Sequence, residues 1–277
     1  MEKLNNKSVK VLLCGAPKSG NYLLFKIIKN ILLQNKCWRS FKEQSGLGDL
    51  IDNEFSDYKY HPEENCNDVL FVKDAQLFMR FPSPTTKYLT IDPQLVISYS
   101  SLLWSHNQPE LLNIDDFSSV THKFYLVRDG RDVINSLMHF VTNPITLKRY
   151  PEYRIVDPVT LYEDYAYFDR QVTVWRDHVR SIFSLREQYL LIRFEDLINN
   201  KKNTIERIGN YLGLQVQIEE IMQKTSFSTM KKQANEHVRK GKQGDWKNYF
   251  TTIHLERFNR IAGSELEMLG YELVDEL

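Results

Sequence analysis

Apolar and polar positions fall in blocks whose length and period change along the chain. Val11-Leu12-Leu13-Cys14 is an unbroken apolar run of strand length, halted at Gly15-Ala16-Pro17. Beyond Lys18-Ser19-Gly20, Leu24, Ile27, Ile28 and Ile31 recur at three- and four-residue spacing, which predicts a helix with one apolar face. Val69–Val72 predicts another strand, and Tyr88–Ile91 and Leu95–Tyr99 predict further extended or buried pieces. Lys123–Val127 is the clearest strand. It ends at Arg128, and apolar residues at 133, 134, 137 and 138 then mark a helix that starts at Asp129 or Gly130 with acids in its first turn. Residues 159–187 carry an aromatic stripe (Tyr165, Phe168, Trp175, Phe183) at helical spacing, which reads as core. Tyr189–Phe194 predicts a strand. Three helices follow: Asn203 to Leu212 with Gly213 as its stop, 217–224, and 254–270 closed by Gly270. The Gly-, Asp- and Asn-rich stretch 36–68 predicts a loop, and Pro144, Pro151 and Pro158 predict a mobile loop over 142–158.

Strands alternate with helices, and no repeat, low-complexity tract or shift in composition divides the chain. This predicts one α/β domain over residues 1–277, with a mostly parallel central sheet flanked by helices and a P-loop-like nucleotide-binding topology. A chain of 277 residues is long enough to bury a sizeable core. The formal net charge is zero, so bulk electrostatics points away from a nucleic-acid partner, and any anion site must come from local clustering. Cys14, Cys37 and Cys66 show neither a disulfide framework nor zinc-ligand spacing, which fits a reducing compartment. The polar start and the lack of a long apolar stretch predict neither a secretory leader nor a membrane span, hence a cytoplasmic protein.

Local chemistry sharpens this picture. A strand, a glycine turn and a helix together aim backbone N–H groups at an anion, and Lys18 sits inside that turn. The order is not G-x-x-x-x-G-K-[ST], because Lys18 and Ser19 precede Gly20. The plainer reading is an ordinary strand-to-helix turn with a surface lysine. Arg128 lies at the carboxyl end of a strand, where open α/β sheets bind ligands; a surface ion pair with Asp132 is its alternative. Between residues 223 and 247, seven basic residues face two acidic ones, and Gly241 and Gly244 allow close backbone approach to a ligand. A solvated basic face is the plainer reading there. His106 follows the run Leu102-Leu103-Trp104 just before a proline turn, and position alone reads as a structural or surface histidine.

Segments 15–22, 128–136 and 239–245, in this order, resemble the sulfotransferases that use 3′-phosphoadenosine 5′-phosphosulfate (PAPS), especially the cytosolic branch. The likeness rests on Arg239-Lys240-Gly241 with Gly244-Asp245-Trp246-Lys247, on Arg128 with Ser136, and on Pro17-Lys18-Ser19-Gly20. It covers most of the chain but not loops 36–100 and 140–160. The resemblance implies that Lys18, Ser19, Gly20, Asn21 and Tyr22 hold the 5′-phosphosulfate. It assigns the 3′-phosphate to Arg128, Ser136, Arg239, Lys240 and the Gly241 backbone, and adenine to Thr225 and Phe227. His106, 22 residues before Arg128, stands where cytosolic members carry their base. Lys247, Thr251 and Glu256 match the family's short dimer motif, with Thr252 in place of a valine, which implies a homodimer.

The chemistry agrees with these roles. Sulfuryl transfer should resemble phosphoryl transfer, in which positioning and charge stabilisation dominate. Imidazole suits removal of a hydroxyl proton, an ammonium suits the departing phosphate oxygen, and an arginine fork suits a terminal phosphate. No metal is required. The chain departs from the family at Asn21-Tyr22-Leu23 (usually Thr-Thr-Trp), at Trp104 (a lysine) and at Phe194 (a tyrosine). The expected activity is sulfuryl transfer from PAPS to a small-molecule or glycan hydroxyl, less readily an amine, with PAP (adenosine 3′,5′-bisphosphate) as product. His106 would be the base and Lys18 the leaving-group stabiliser. A P-loop-type kinase and a PAP(S)-binding protein impaired in catalysis are the alternatives.

Overall fold

The structure, a computed structural model, describes residues 9–40, 44, 70–74, 76–81, 87–90, 92–113, 115–149, 157–233 and 239–276. Its strands in chain order are β1 (Val11–Gly15), β2 (Leu70–Lys73), β3 (Gln76–Phe81), β4 (Lys87–Thr90), β5 (Leu102–Ser105), β6 (His122–Val127) and β7 (Leu190–Arg193). Among the described residues they form one sheet in the order β4-β3-β2-β5-β1-β6-β7. The pairs β2–β5, β5–β1, β1–β6 and β6–β7 are parallel; β2–β3 and β3–β4 are antiparallel. The mostly parallel α/β fold is the predicted one, with an antiparallel flank added at one side.

β1 is central and buried at all five positions. A strand covered on both faces is continuously apolar, whereas a half-exposed strand alternates. Successive side chains still point to opposite faces. Leu12 and Cys14 join one core with Leu103, Tyr125 and Val127; Val11 and Leu13 join the other with Leu102, Phe124 and Leu126.

The helices are α1 (Asn21–Gln34), α2 (Pro93–Tyr99), α3 (Gly130–Val141), α4 (Pro144–Arg149), α5 (Pro158–Glu163), α6 (Tyr165–Phe183), α7 (Phe194–Asn199), α8 (Lys201–Leu212), α9 (Ile218–Lys224), α10 (Phe227–Gln233) and α11 (Thr252–Met268). Leu24, Phe25, Ile27, Ile28 and Ile31 of α1 pack with Ile205 and Ile208 of α8 over one sheet face. Val133, Ile134 and Met138 of α3, Phe168, Val172 and Trp175 of α6, and Leu255 and Phe258 of α11 cover the other. Full burial of an apolar side chain of this size stabilises the fold by about 1.5–3 kcal/mol.

Two expectations change. Leu95–Tyr99 lies in α2, and its first turn is closed by Leu95 and Val96 N–H groups on the Asp92 carbonyl. A five-residue apolar run does not distinguish strand from helix, whereas the preceding Pro93 suits a first helical position. The predicted loop 142–158 contains α4, and α5 begins at its end; Pro144 and Pro158 are first helical residues. Residues 150–156 and nearly all of 41–69 lie outside the described residues, so the loop expectations there have no structural counterpart. The stretch 159–187 is divided between α5 and α6 by Asp164, whose carboxylate accepts the Tyr167 N–H at 2.9 Å, and the aromatic stripe lies in α6.

Two histidines, His178 buried and His139 half-buried, tie stability to pH. Burial, then the charge of His106, pushes His178 down to about 4; burial, then Arg239, pushes His139 down to about 4. Both rings titrate near 6.5 when unfolded, so the folded values lie below the unfolded ones. The stability gained from keeping the rings neutral is complete above about pH 6.5 and drains as pH falls towards 4. Thermal melts should show Tm falling across that window, and His178→Gln should make the fall shallower. A Tm unchanged between pH 6.5 and 4 contradicts the assignment.

Candidate active site

Parallel pairing sets where the site forms. Cys14 pairs with Ser105 and Gly15 with Leu126, so β1, β5 and β6 end close together along one edge of the sheet. The residues that follow these strands, Ala16, His106 and Arg128, therefore emerge side by side at the carboxyl ends, where open α/β sheets bind ligands.

The β1–α1 turn is held by its own residues. Lys18 (φ 67°) and Gly20 (φ 101°) are left-handed, a conformation easy for glycine and costly for lysine. A Cβ at Gly20 would lie 2.5 Å from the Phe194 ring, so space as well as φ demands glycine. The buried Ser19 donates its N–H to the Ala16 carbonyl at 3.2 Å. Asn21, the first residue of α1, folds back and donates through Nδ2 to Ala16 O at 2.8 Å and Gly15 O at 3.3 Å. The Lys18 ammonium lies 3.9 Å from the centre of the Phe140 ring. Tyr22 is half-buried on α1 and packs at the edge of the α1 core.

His106 meets this turn. Its Nδ1 is 2.9 Å from Gly15 O and 3.5 Å from Asn21 Nδ2. The shorter contact decides the tautomer: a carbonyl only accepts, so Nδ1 carries the proton and Nε2 the lone pair. The imidazole stands edge-on to Trp104 with centroids 5.4 Å apart, and Trp104 stacks on Phe25 at 5.5 Å.

Arg128, 8% exposed, links two of the predicted segments. Its Nη1 donates to Lys18 O at 2.9 Å and its Nη2 to Lys242 O at 3.3 Å, while Phe194 lies under the guanidinium at 4.2 Å. Burial, which outweighs the nearby carboxylates of Asp132, Glu195 and Asp129, lowers its pKa. The alternative ion pair with Asp132 does not form, because the Asp132 carboxylate accepts Gly244 N–H at 2.7 Å and Trp246 N–H at 3.2 Å.

Asp132 thereby bolts the 239–246 loop to α3. Arg239 and Lys240 converge on one carboxylate: Arg239 Nη2 is 2.5 Å from Asp245 Oδ2 and Lys240 Nζ is 2.8 Å from Asp245 Oδ1. Burial works to raise the Asp245 pKa, but hydrogen bonds from Lys240 and Arg239 outweigh it and hold the group well below the usual carboxylate range. Asn135 donates to the same carboxylate at 3.2 Å and accepts from Tyr162 at 2.5 Å. Ser136, half-buried, is the next residue of α3. Gly241 (φ 60°) lies against Phe227, whose ring a Cβ there would meet at 2.9 Å; Phe227 itself is 48% exposed. Thr225 is buried, and its hydroxyl donates to Ile221 O at 2.6 Å within its own helix turn.

Lys18, Ser19, Gly20, Asn21, His106, Arg128, Arg239, Lys240, Gly241 and Phe227 thus form a chain of contacts along one edge of the sheet. Thr225, Ser136 and Tyr22 flank it. Sequence reasoning missed Asp245, Asn135 and Tyr162 as the frame of the basic segment. The available signal was an acid inside the basic run, which counted towards the charge balance and the family likeness but not as a partner for Arg239 and Lys240. Within Lys247–Glu256, Thr251 and His254 make a capping box at the start of α11.

Residues 8–270 match the family model described as "Sulfotransferase domain". The chain is 31% identical over 195 residues to human "Sulfotransferase 2A1", covering 62% of this chain and 66% of that protein. It is 30% identical over 206 residues to the "3-alpha-hydroxysteroid sulfotransferase" of Cavia porcellus, covering 65% of each. The matched region thus spans just under two thirds of both relatives. The structure of mouse sulfotransferase SULT7A1 complexed with PAP shares the fold, with TM-score 0.60, 20% identity, and coverage of 94% of this chain and 84% of that one.

Removing the Asp132 carboxylate should strip two N–H groups, the buried one of Trp246 and the part-buried one of Gly244, of their acceptor. Asp132→Ala is expected to lower unfolding free energy by about 3–6 kcal/mol, two hydrogen bonds to a charged group. An unshifted urea midpoint rules this out. With its strands, turn and basic loop so arranged and its family match nearly end to end, this chain belongs to the sulfotransferase domain family.

Proposed function

We propose that the chain is a PAPS-dependent sulfotransferase acting on the hydroxyl of a small molecule, with hydroxysteroids the first class to test. The observation that carries this reading is the Arg128 fork, which touches both the Lys18 turn and the Lys242 carbonyl. It joins the two segments assigned to opposite ends of an adenosine bisphosphate. The residues present fit such a ligand. Lys18, Arg128, Arg239 and Lys240 supply positive charge, Arg128 Nε is buried with no hydrogen-bond partner among the described residues, and the exposed Phe227 ring offers a stacking face beside Gly241. The relatives' names include a hydroxysteroid sulfotransferase, and the solved neighbour holds PAP.

In this reading PAPS supplies the sulfuryl group. His106, with its proton held on Nδ1 by Gly15 O, presents the Nε2 lone pair to the acceptor hydroxyl. Lys18 leaves Phe140 to meet the charge that develops on the departing phosphate oxygen. Arg239 and Lys240, aligned by Asp245, hold the 3′-phosphate with Arg128, while Ser136 flanks that pocket and Thr225 borders the adenine. Ser19, Gly20, Asn21 and Tyr22 line the 5′ end.

The proposal extends to one domain over residues 1–277, a cytoplasmic site of action and a homodimer through Lys247–Glu256. Among the described residues, no helix is long and apolar enough to cross a membrane.

PAP should raise Tm where ATP with Mg²⁺ does not; the reverse result favours a kinase. With labelled PAPS and a hydroxysteroid panel, His106→Ala should abolish transfer and leave PAP affinity intact. Lys18→Ala should lower kcat by about 10²–10³, the loss typical of one oxyanion donor. Transfer unchanged by both substitutions sinks the assignment. Tight PAP binding with no turnover of any acceptor would instead make this chain a nucleotide-binding member that has lost the reaction through Leu23, Trp104 or Phe194.

A further inference from the structure

His106 is held by its ring and also by its main chain, through side chains that the reading above does not use. On one side lies Asn107, 7% exposed. β2 and β5 share one backbone pair, Leu70 with Ser105. Asn107 adds a further rung with its side chain: Val72 N–H donates to Oδ1 at 3.1 Å, and Nδ2 donates to Val72 O at 3.1 Å. Ser105 closes the join by donating Oγ to Leu70 O at 2.8 Å, and the Asn107 carbonyl accepts from Cys14 Sγ at 3.0 Å.

On the other side lies His178 of α6, 2% exposed. Its Nε2 is 3.3 Å from the His106 carbonyl, and its Nδ1 is 2.9 Å from the Tyr125 hydroxyl. A carbonyl only accepts, so Nε2 carries the proton and Tyr125 donates to Nδ1. The ring is therefore neutral with both nitrogens satisfied. Burial keeps it so by pushing its pKa down to about 4.

We propose that His178, fixed by Tyr125, and Asn107, fixed by β2, are positioning residues: they clamp the backbone on either side of His106 so that its Nδ1 stays on Gly15 O and its Nε2 faces the acceptor. The inference rests on the sulfotransferase reading for its kinetic consequence but not for its geometry. A base held a fraction of an ångström out of line loses rate steeply, while nucleotide affinity, set by other loops, does not change.

Two near-isosteric variants of the full chain test it. Glutamine places an amide nitrogen where Nε2 stands and keeps the bond to His106 O. Asparagine places it near Nδ1, retaining a polar group for Tyr125 but losing the bond to His106. With PAPS and a hydroxysteroid acceptor, His178→Asn should lower kcat by about 10-fold or more with KM for PAPS unchanged, and His178→Gln should restore most of it. Asn107→Leu should act like His178→Asn.

A second readout needs no turnover. In ¹⁵N-histidine-labelled protein the His106 ring, assigned through His106→Gln, should be a single Nδ1–H tautomer in the parent chain and in His178→Gln. In His178→Asn and Asn107→Leu it should become a mixture of tautomers. Wild-type protein that binds PAP without transferring sulfate would sink the functional reading, and the tautomer measurement would still decide the clamp. Identical His106 spectra in all variants, or equal kcat for the asparagine and glutamine variants in an active enzyme, overturn the inference.

Discussion

The parallel ladder β5–β1–β6 is the constraint on which the site depends. It pairs Cys14 with Ser105 and Gly15 with Leu126, so three strands far apart in sequence stop at the same edge. A one-residue slip in either pairing would turn every side chain of that strand to the opposite face. The two cores resist such slips, because β1 contributes Leu12 and Cys14 to one and Val11 and Leu13 to the other. Burial of ordinary apolar residues thus fixes the positions of Ala16, itself part of one core, and of the polar His106 and Arg128 beside it.

On that edge, buried polar groups take over from apolar packing. Arg128 bonds main-chain carbonyls of two loops, Asp132 captures two N–H groups of the second of them, and Asp245 gathers Arg239, Lys240 and Asn135. Each of these groups would be expensive to bury alone. Together they satisfy one another and convert flexible loop into a defined shape. Orienting cations before ligand arrives reduces the ordering cost of binding, and a counter-charge such as Asp245 is how several cations can share a small volume.

The substituted positions show how the frame is tuned in this chain. Phe194 keeps the ring of the family's tyrosine and uses it as the floor under Arg128 and the wall against Gly20. Trp104 replaces a cation by a large aromatic that stacks on Phe25 and stands edge-on to His106. Asn107, beside the imidazole, closes a β-ladder that the backbone leaves one rung short. His106 is thereby set against an aromatic wall, with its carbonyl and the following residue both hydrogen-bonded.

Local pattern was enough for much of this. The period of apolar residues located β1, α1, β6, α3, β7, α8 and α11, because a buried strand and an amphipathic helix each leave a distinct spacing. The turn glycines, the arginine at a strand end and the basic run marked three segments that the fold brings to one edge of the sheet, because those residues act through their own backbone freedom and charge. The pattern did not settle Leu95–Tyr99 or the helices that open on Pro144 and Pro158, where short runs and prolines serve more than one conformation. Tertiary structure alone decided which partners meet: Asp132 with Gly244 rather than Arg128, Asp245 with Arg239 and Lys240, Asn107 with Val72, His178 with the carbonyl of His106. Such bonds join residues up to 114 positions apart and depend on distances set only when the sheet closes.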